Sequence, residues 1–214
     1  MNWGWLGANS GRIFQLAGDH LVIALPAVAI AFFIAVPLGW LAHRSGAARE
    51  ALVVLTSLIY VVPSLAMFIL MPLALGTSIL SPLNVVAAMV LYGIALMVRS
   101  AADAFDAVPK DVRQSANAAG YPPLKRVTAV ELPLAGPGLL SGLRVVAAST
   151  ISLVSVGALI GVQSLGTLFT EGFQRSFPTE ILAGLIGTIA LALIVDSALV
   201  LLGRVAMPWT KARS

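Results

Sequence analysis

Charged residues are scarce in this chain. Only 10% of its 214 residues are Asp, Glu, Lys or Arg, against roughly 25% in an average soluble domain. Hydrophobic residues make up 59% of the chain, and the mean hydropathy is +0.97. A soluble protein of this size cannot bury so much apolar surface beneath so few polar groups. The composition therefore excludes a cytosolic enzyme and a disordered chain, and it indicates an integral membrane protein.

Cysteine is absent, which excludes disulfides, thiolate metal sites and cysteine nucleophiles. No Gly-Lys pair occurs, so the phosphate-binding loop G-x-x-x-x-G-K-[ST] is absent too. The patterns H-E-x-x-H and G-x-S-x-G are also missing, which disfavours an intramembrane enzyme. We therefore expect no catalytic residue, metal site or cofactor in this chain, and any ATP hydrolysis must occur on a partner.

Long uncharged stretches separate the few clusters of charge. Each stretch is long enough to cross a membrane, which takes roughly 20 apolar residues. The breaker residues Gly76-Thr77-Ser78 and Ser81-Pro82 divide the longest stretch, and only Asp196 interrupts the last. The runs do not alternate apolar with polar residues as barrel strands do. The sequence predicts an all-α integral membrane protein with about five transmembrane helices: 20–42, 51–75, 82–99, 139–163 and 181–206.

The distribution of Lys and Arg predicts the orientation. If the N-terminus lies outside, only Arg12 and Arg175 fall outside, and the other eleven basic residues fall inside. Inner loops of membrane proteins carry such an excess of basic residues. The predicted organisation is an extracytoplasmic segment 1–19, a membrane domain 20–206 and a cytoplasmic tail 207–214.

One long polar segment, residues 100–143, lies on the inner side between the third and fourth predicted helices. Pro109 and Asp111 suit the first turn of a helix, and Gly120 suits its C-terminal end. A second short helix is predicted from Pro123 to Glu131, stopping at Leu132-Pro133. The first helix carries a stripe of small residues, which either docks another surface or packs on the chain's own membrane domain: Val112, Ala116 and Ala119.

This segment resembles the "EAA" loop of permease subunits of binding-protein-dependent ABC importers, E-A-A-x-x-x-G-x9-I-x-L-P. Gln114 stands at the position of the family's acid, followed by Ser115-Ala116; Gly120 and Val130-Glu131-Leu132-Pro133 keep the family's spacing. The resemblance implies that residues 100–138 form a cytoplasmic coupling loop of a type I ABC importer permease. The ATPase-coupling residues it implies are Gln114, Ser115, Ala116, Gly120, Val130, Leu132 and Pro133.

Further motifs resemble the osmoprotectant branch of that family, which carries glycine betaine, carnitine or choline. They are Val62-Pro63-Ser64-Leu65-Ala66, residues 91–100 and residues 130–144. The resemblance implies three partners in a bacterial inner membrane: a second permease chain, a cytoplasmic ABC ATPase dimer and an extracytoplasmic substrate-binding protein. Nucleic acid is not an expected partner. Another small amine or zwitterion, such as ergothioneine or an amino acid, remains an alternative substrate, and an ATP-independent secondary transporter remains an alternative class.

The second predicted helix is the candidate for the translocation path. Proline has no N–H, so Pro63 leaves the carbonyl of Ile59 without its helical donor. Together with Tyr60 and Ser64, a freed carbonyl suits a cationic head group, although a simple packing kink is the alternative. Asp196 is the one acid deep within a predicted helix. It is either a cation-binding point on the path or a structural bond to a neighbour such as Ser149 or Ser152.

Overall fold

The computed structural model describes residues 2–213, without the side chains of residue 48 and residues 211–213. The outermost positions of the two predicted terminal segments, 1 and 214, lie outside the described residues. Every regular element within the described range is a helix, which confirms the predicted fold class. The α-helices are α1 (Trp3–Arg44), α2 (Gly46–Val61), α3 (Ser64–Leu75), α4 (Pro82–Asp106), α5 (Lys110–Ala118), α6 (Pro123–Arg126), α7 (Leu132–Val154), α8 (Gly166–Gln174) and α9 (Pro178–Ala206).

Four helical stretches are long and apolar enough to cross a membrane alone: α1, α4, the stretch Pro123–Ile160 that contains α7, and α9. The pair α2 and α3 reaches that length only when taken together, and the two helices meet at an angle of 103°. The predicted helix 51–75 is therefore wrong as a single straight helix. The count of about five spans holds when the bent pair is taken as one.

Two predicted boundaries need correction. The first helix begins at Trp3 rather than at residue 20, and the side chain of Asn2 caps it by accepting the N–H of Trp5. Hydropathy marks only the part of a helix that lies in lipid, so it misses a polar extension of the same helix. The fourth long helix begins well before residue 139, because the chain continues in helical form through Leu132-Pro133.

The predicted turn between the second and third apolar stretches is confirmed. Gly76 adopts a left-handed conformation (φ +65°) at the end of α3, and its N–H donates to the carbonyl of Pro72. Ser81 then caps α4 by accepting the N–H of Leu83, and Pro82 occupies the first helical position. Proline suits that position because its missing N–H would be unpaired there anyway.

The core is built on close helix packing between α1 and α4. One face of α1 is lined by fully buried alanines, among them Ala24, Ala27, Ala31 and Ala35. On α4, a Cβ added at Gly93 would lie 2.6 Å from the Cβ of Ala31, so only glycine fits there. Small residues let helix backbones approach closely within a membrane. The pairing fixes α1 along α4, and both helices also pack against α7.

The helices arrange the chain into a bundle with two ends. The ends of α1, α4 and α9 and the start of α7 lie at one end, together with α5 and α6; we call this the loop end. The starts of α1, α4 and α9 lie at the opposite end, together with α8. The segment 166–180, which holds α8 and the first turn of α9, is called the α8 corner below.

Candidate coupling loop and translocation path

The predicted first helix of the polar segment is confirmed as α5. Pro109 precedes it and Asp111 lies in its first turn. Gly120 follows its last turn in a left-handed conformation (φ +78°), and the N–H of Tyr121 donates to the carbonyl of Ala116 at 3.1 Å. This is the glycine-dependent helix end that the sequence predicts.

The exposed surface of α5 differs from the predicted stripe. Gln114 and Ser115 are exposed, but Ala116 is buried against the chain itself with 8% of its surface accessible. The stripe of small residues therefore does not form one docking face. The large exposed apolar side chains in and just after α5 are Val112, which belongs to the stripe, Tyr121 and Leu124, the last of which is 76% exposed. Leu124 has no place in the family motif, so the motif gave no signal for it.

The predicted helix end at Leu132-Pro133 is wrong. Residues Val127–Glu131 form a π-helical turn, and the N–H of Leu132 donates to the carbonyl of Val127, five residues back. Because Pro133 has no N–H, a widened turn lets the chain continue as α7 without a break. Leu132 remains partly exposed at the start of α7, and Val130 and Pro133 are half-buried.

Arg126 ties α5 to the base of α7. Its Nη1 donates to Oδ1 of Asn117 at 2.6 Å, and its Nε donates to Oε1 of Glu131 at 2.7 Å. Glu131 is almost fully buried and also accepts the indole N–H of Trp40 at 3.3 Å. A buried carboxylate needs such partners. Sequence alone gave no signal for Arg126 and Trp40 as partners of Glu131.

A second polar cluster joins α5 to the ends of α1 and α4. Arg113 Nη1 lies 2.8 Å from His43 Nε2, and His43 Nδ1 lies 2.5 Å from Asp106 Oδ1. Arg49, at the start of α2, donates to Asp106 and also to Asp103 Oδ1 at 2.6 Å. The loop is therefore held by side chains as well as by the chain itself.

The candidate path residues of α2 and α3 come together in one cavity. Its volume is about 250 Å³, and its walls include Tyr60, Pro63 and Ser64 with Tyr92 of α4 and Leu153 of α7. The rings of Tyr60 and Tyr92 meet edge to face with centroids 5.9 Å apart. The two rings thus form perpendicular walls, and the cavity lies where the helix direction changes by 103°.

The carbonyl groups at this break have hydrogen-bond donors, whereas the sequence predicts that the Ile59 carbonyl lacks one. The carbonyl of Ile59 accepts the N–H of Val62 at 3.3 Å, so Pro63 does not leave it free. The carbonyl of Val62 accepts the hydroxyl of Tyr92. The side chain of Tyr92 thus pairs a carbonyl group at the break. The aromatic faces, rather than the Ile59 carbonyl, supply the attraction for a cation that was expected of the cavity.

Asp196 lies apart from that cavity, between α7 and α9. Its two carboxylate oxygens accept hydrogen bonds from Nε and Nη2 of Arg144, at 2.6 and 2.7 Å. The expected bond to Ser149 or Ser152 is therefore wrong, and the partner is a charge. Both side chains are partly exposed on the isolated chain, 43% for Arg144 and 33% for Asp196.

A helical membrane bundle with a helical loop at one end and a cavity beside a broken span has the architecture of a transport permease. Residues 27–207 match the family described as the inner membrane component of binding-protein-dependent transport systems. The chain belongs to that family, which confirms the resemblance carried by Gly120 and Leu132-Pro133. It is therefore a membrane permease component of a binding-protein-dependent transport system.

Two curated relatives match nearly the whole chain. The osmoprotectant import permease protein OsmW of Salmonella typhimurium is 32% identical, with 88% of each chain covered. The glycine betaine/carnitine/choline transport system permease protein OpuCB of Bacillus subtilis is 26% identical, over 95% of this chain and 93% of the relative. A chain of the MetNI methionine ABC transporter in an inward-facing conformation has the same fold, with a TM-score of 0.82, 17% identity, and coverage of 96% of this chain and 99% of that one.

Proposed function

We propose that this chain forms, with a second permease chain, the membrane path for a small quaternary-ammonium osmoprotectant such as glycine betaine, carnitine or choline. A cytoplasmic ABC ATPase dimer drives the transport, and an extracytoplasmic binding protein delivers the substrate. Two relatives are named as permeases for osmoprotectants and for glycine betaine, carnitine and choline, which favours this substrate class. The missing phosphate-binding loop is the reason to assign ATP hydrolysis to a partner.

The loop end is the cytoplasmic side in this proposal. Basic residues are concentrated there, in α5, α6 and the turns beside them, while Arg12 and Arg175 lie at the opposite end. Such an excess of Lys and Arg is typical of cytoplasmic loops. The N-terminal segment 1–19 is then extracytoplasmic and the tail 207–214 cytoplasmic, in the inner membrane of a bacterium.

The single observation that carries the substrate class is the pair of tyrosine rings in the cavity at the α2–α3 break. A quaternary ammonium group has no N–H and donates no hydrogen bond from its nitrogen, but an aromatic face attracts it electrostatically. The residues that line the cavity include no carboxylate, so a passing cation meets no fixed charge that would hold it. At about 250 Å³, the cavity is smaller than the roughly 300–1,000 Å³ typical of drug-sized ligands.

We place the contact with the second permease chain on the exposed face of α7, opposite the face that is buried within this chain. The residues exposed along this side include one large apolar side chain, Val145, but are otherwise small or polar: Ser141, Arg144, Ala148 and Ser152. Lipid-facing helices carry large apolar side chains, whereas small and charged side chains in a membrane face another helix or a water-filled path. The partly exposed ion pair of Arg144 and Asp196 therefore favours a face that a second chain covers.

Movement of the coupling loop links ATP hydrolysis to the path. When the ATPase dimer closes, the loop moves as a rigid body, and the attached α4 and α7 rock with it. The cavity has walls from α4 and α7 as well as from α2 and α3. Rocking therefore changes the shape of the cavity and opens it first to one side of the membrane and then to the other.

Replacing Tyr60 by leucine tests the assignment of the cavity. The change removes the aromatic face and keeps an apolar side chain, so we expect weaker transport of glycine betaine. Loss of a cation–π contact worth about 0.5–2 kcal/mol lowers uptake at limiting substrate by a factor of roughly 2 to 30. Uptake is measured in proteoliposomes that hold the ATPase and the binding protein. Tyr60→Phe, which keeps the ring, is expected to retain most of the uptake.

Phe14→Leu is the matched control, because Phe14 is an exposed aromatic residue on α1 and does not line the cavity. Unchanged uptake by both Tyr60→Leu and Ser64→Ala would contradict the path assignment. A secondary transporter would instead transport without the ATPase. Stimulation of ATP hydrolysis by the ergothioneine-loaded binding protein, and not by the glycine betaine-loaded one, would favour the alternative substrate.

A further inference from the structure

We infer that α1 transmits the movement of the coupling loop to the α8 corner on the outer side of the membrane, through polar links at its two ends. The inference rests on the proposed function, because it assumes that an ATPase moves the loop. The chain itself connects the loop directly only to α4 and α7. Helix α1 is remote in sequence from both the loop and the α8 corner, yet its side chains bond to both.

The first link at the loop end runs through His43. Arginine has no acceptor, so Arg113 must donate to His43 Nε2, and Nδ1 of the same ring then carries the hydrogen that is donated to Asp106. The histidine ring is thus held between α5 and the end of α4. It also lies against the ring of Phe105, with centroids 6.3 Å apart.

The second link at the loop end runs through Trp40, three residues earlier on the same helix. Trp40 donates to Glu131, which accepts Arg126, and Arg126 in turn donates to Asn117 of α5. Residues three apart lie on the same face of a helix. Both links therefore reach α1 within its last turns, one from each half of the coupling loop.

At the other end, α1 is bonded to the α8 corner by a set of separate contacts. Arg12 Nη2 donates to Glu171 Oε1 at 2.5 Å, and its Nη1 lies 3.5 Å from Glu180. The hydrogen bond from Arg12 holds the pKa of Glu171 below its ordinary value, so the pair is lost only as the pH falls through that lowered pKa. The N–H of Asn2 donates to the hydroxyl of Thr179, and the rings of Trp5 and Phe177 pack at 5.4 Å.

Between its ends, α1 is one helix over Trp3–Arg44 that includes Pro26 and Pro37, and its 42 residues measure about 63 Å along the helix. The buried alanines fix its middle against α4, and His20 adds a buried bond to the carbonyl of Ile151 at 2.9 Å. A helix held along its length carries a displacement of one end to the other. Movement of the loop then shifts the α8 corner, which lies on the side where the binding protein arrives.

The test measures ATP hydrolysis by the reconstituted permease and its co-purifying ATPase, with and without glycine betaine-loaded binding protein. We expect Arg12→Gln and Trp40→Phe each to lower the stimulated rate by about twofold to tenfold, the range for one lost hydrogen bond or ion pair. Arg12 lies at the end of the bundle opposite the loop, so the basal rate of Arg12→Gln is expected to stay unchanged. Trp40 bonds to the base of the loop, so for Trp40→Phe the ratio of the stimulated to the basal rate is compared.

Arg175→Gln is the matched control for Arg12→Gln, because Arg175 pairs with the same carboxylates, Glu171 and Glu180, from within the α8 corner. Arg49→Gln is the control at the loop end, because the ion pairs of Arg49 are with Asp103 and Asp106 of α4 rather than with Glu131.

A double variant separates transmission from simple loss of stability. Arg12 and Trp40 are about 42 Å apart along α1, and effects of residues that distant normally add. If α1 transmits movement, the double variant is no worse than either single one, because one broken end already interrupts the link. Additive effects, or controls that lose as much as the test variants, would contradict the inference alone. A wild-type complex without stimulated hydrolysis would contradict the proposed function, and this inference with it.

Discussion

Replacing Gly120 by arginine is expected to lower ATP-driven uptake about tenfold or more while the chain still inserts in the membrane. Gly120 lies beyond the last turn of α5 at φ +78° with open space around it. A side chain there strains the backbone by about 1–2 kcal/mol and places a bulky cation on the surface that is proposed to meet the ATPase. A lost docking contact of about 1.4 kcal/mol already lowers complex formation about tenfold. Co-purification of the ATPase and uptake in proteoliposomes measure the two effects.

Gly76→Arg is the matched control for this prediction. Gly76 also ends a helix in the left-handed conformation (φ +65°) and also has open space around it, but it lies at the opposite end of the bundle. The backbone strain is therefore the same, and only the position differs. Leu132→Glu, on the partly exposed start of α7, is expected to act like Gly120→Arg. Normal uptake by both loop variants would show that the coupling assignment is wrong.

The second large effect is expected for Asp196→Asn. Removing one partner of an ion pair leaves the other charge unbalanced, here Arg144 on the face assigned to the second permease chain. We expect the permease pair to dissociate in mild detergent, measured by the mass of the purified complex. The double variant Arg144→Gln with Asp196→Asn removes both charges and is expected to restore pairing. Asp19→Asn is the control, because it removes a carboxylate from α1.

The outcome for Asp196 separates its two predicted roles. Loss of the pair with recovery in the double variant identifies a structural bond between α7 and α9 at the chain interface. An intact pair that no longer transports places Asp196 on the path instead. An intact pair with normal uptake would contradict both roles. Asp196 pairs with Arg144. Both the structural role and the role on the path therefore concern an ion pair rather than a single carboxylate.

Local backbone chemistry made part of the fold predictable. Gly76, Ser81-Pro82 and Gly120 were identified because turns and helix ends depend on the conformations of single residues. The same local rules failed at Pro133, where a π-helical turn absorbs the missing N–H and the helix continues. They also gave the position of the break at Pro63 but not its angle, which depends on packing against α4 and on the bond from Tyr92 to Val62.

Partners that are distant in the sequence were not predictable. Arg144 and Asp196 are 52 residues apart, Trp40 and Glu131 are 91 apart, and Arg12 and Glu171 are 159 apart. Nothing in the pattern of a single chain selects one partner for such a charge among all the others. The candidate coupling residues followed from a motif, because a motif keeps its spacing. The side chains that hold the loop against α1 follow no such spacing and become visible only in the fold.

The central claim is that α5 and its neighbouring turn lie in the cytoplasm and receive the work of an ATPase. Because the chain has no cysteine, single cysteines can be labelled cleanly with a membrane-impermeant maleimide. Ser115→Cys is expected to react in inverted membrane vesicles but not in intact cells, and to be protected when the ATPase is bound. Gln174→Cys, at the opposite end, is expected to react in intact cells. Labelling of Ser115→Cys from outside intact cells would contradict the account.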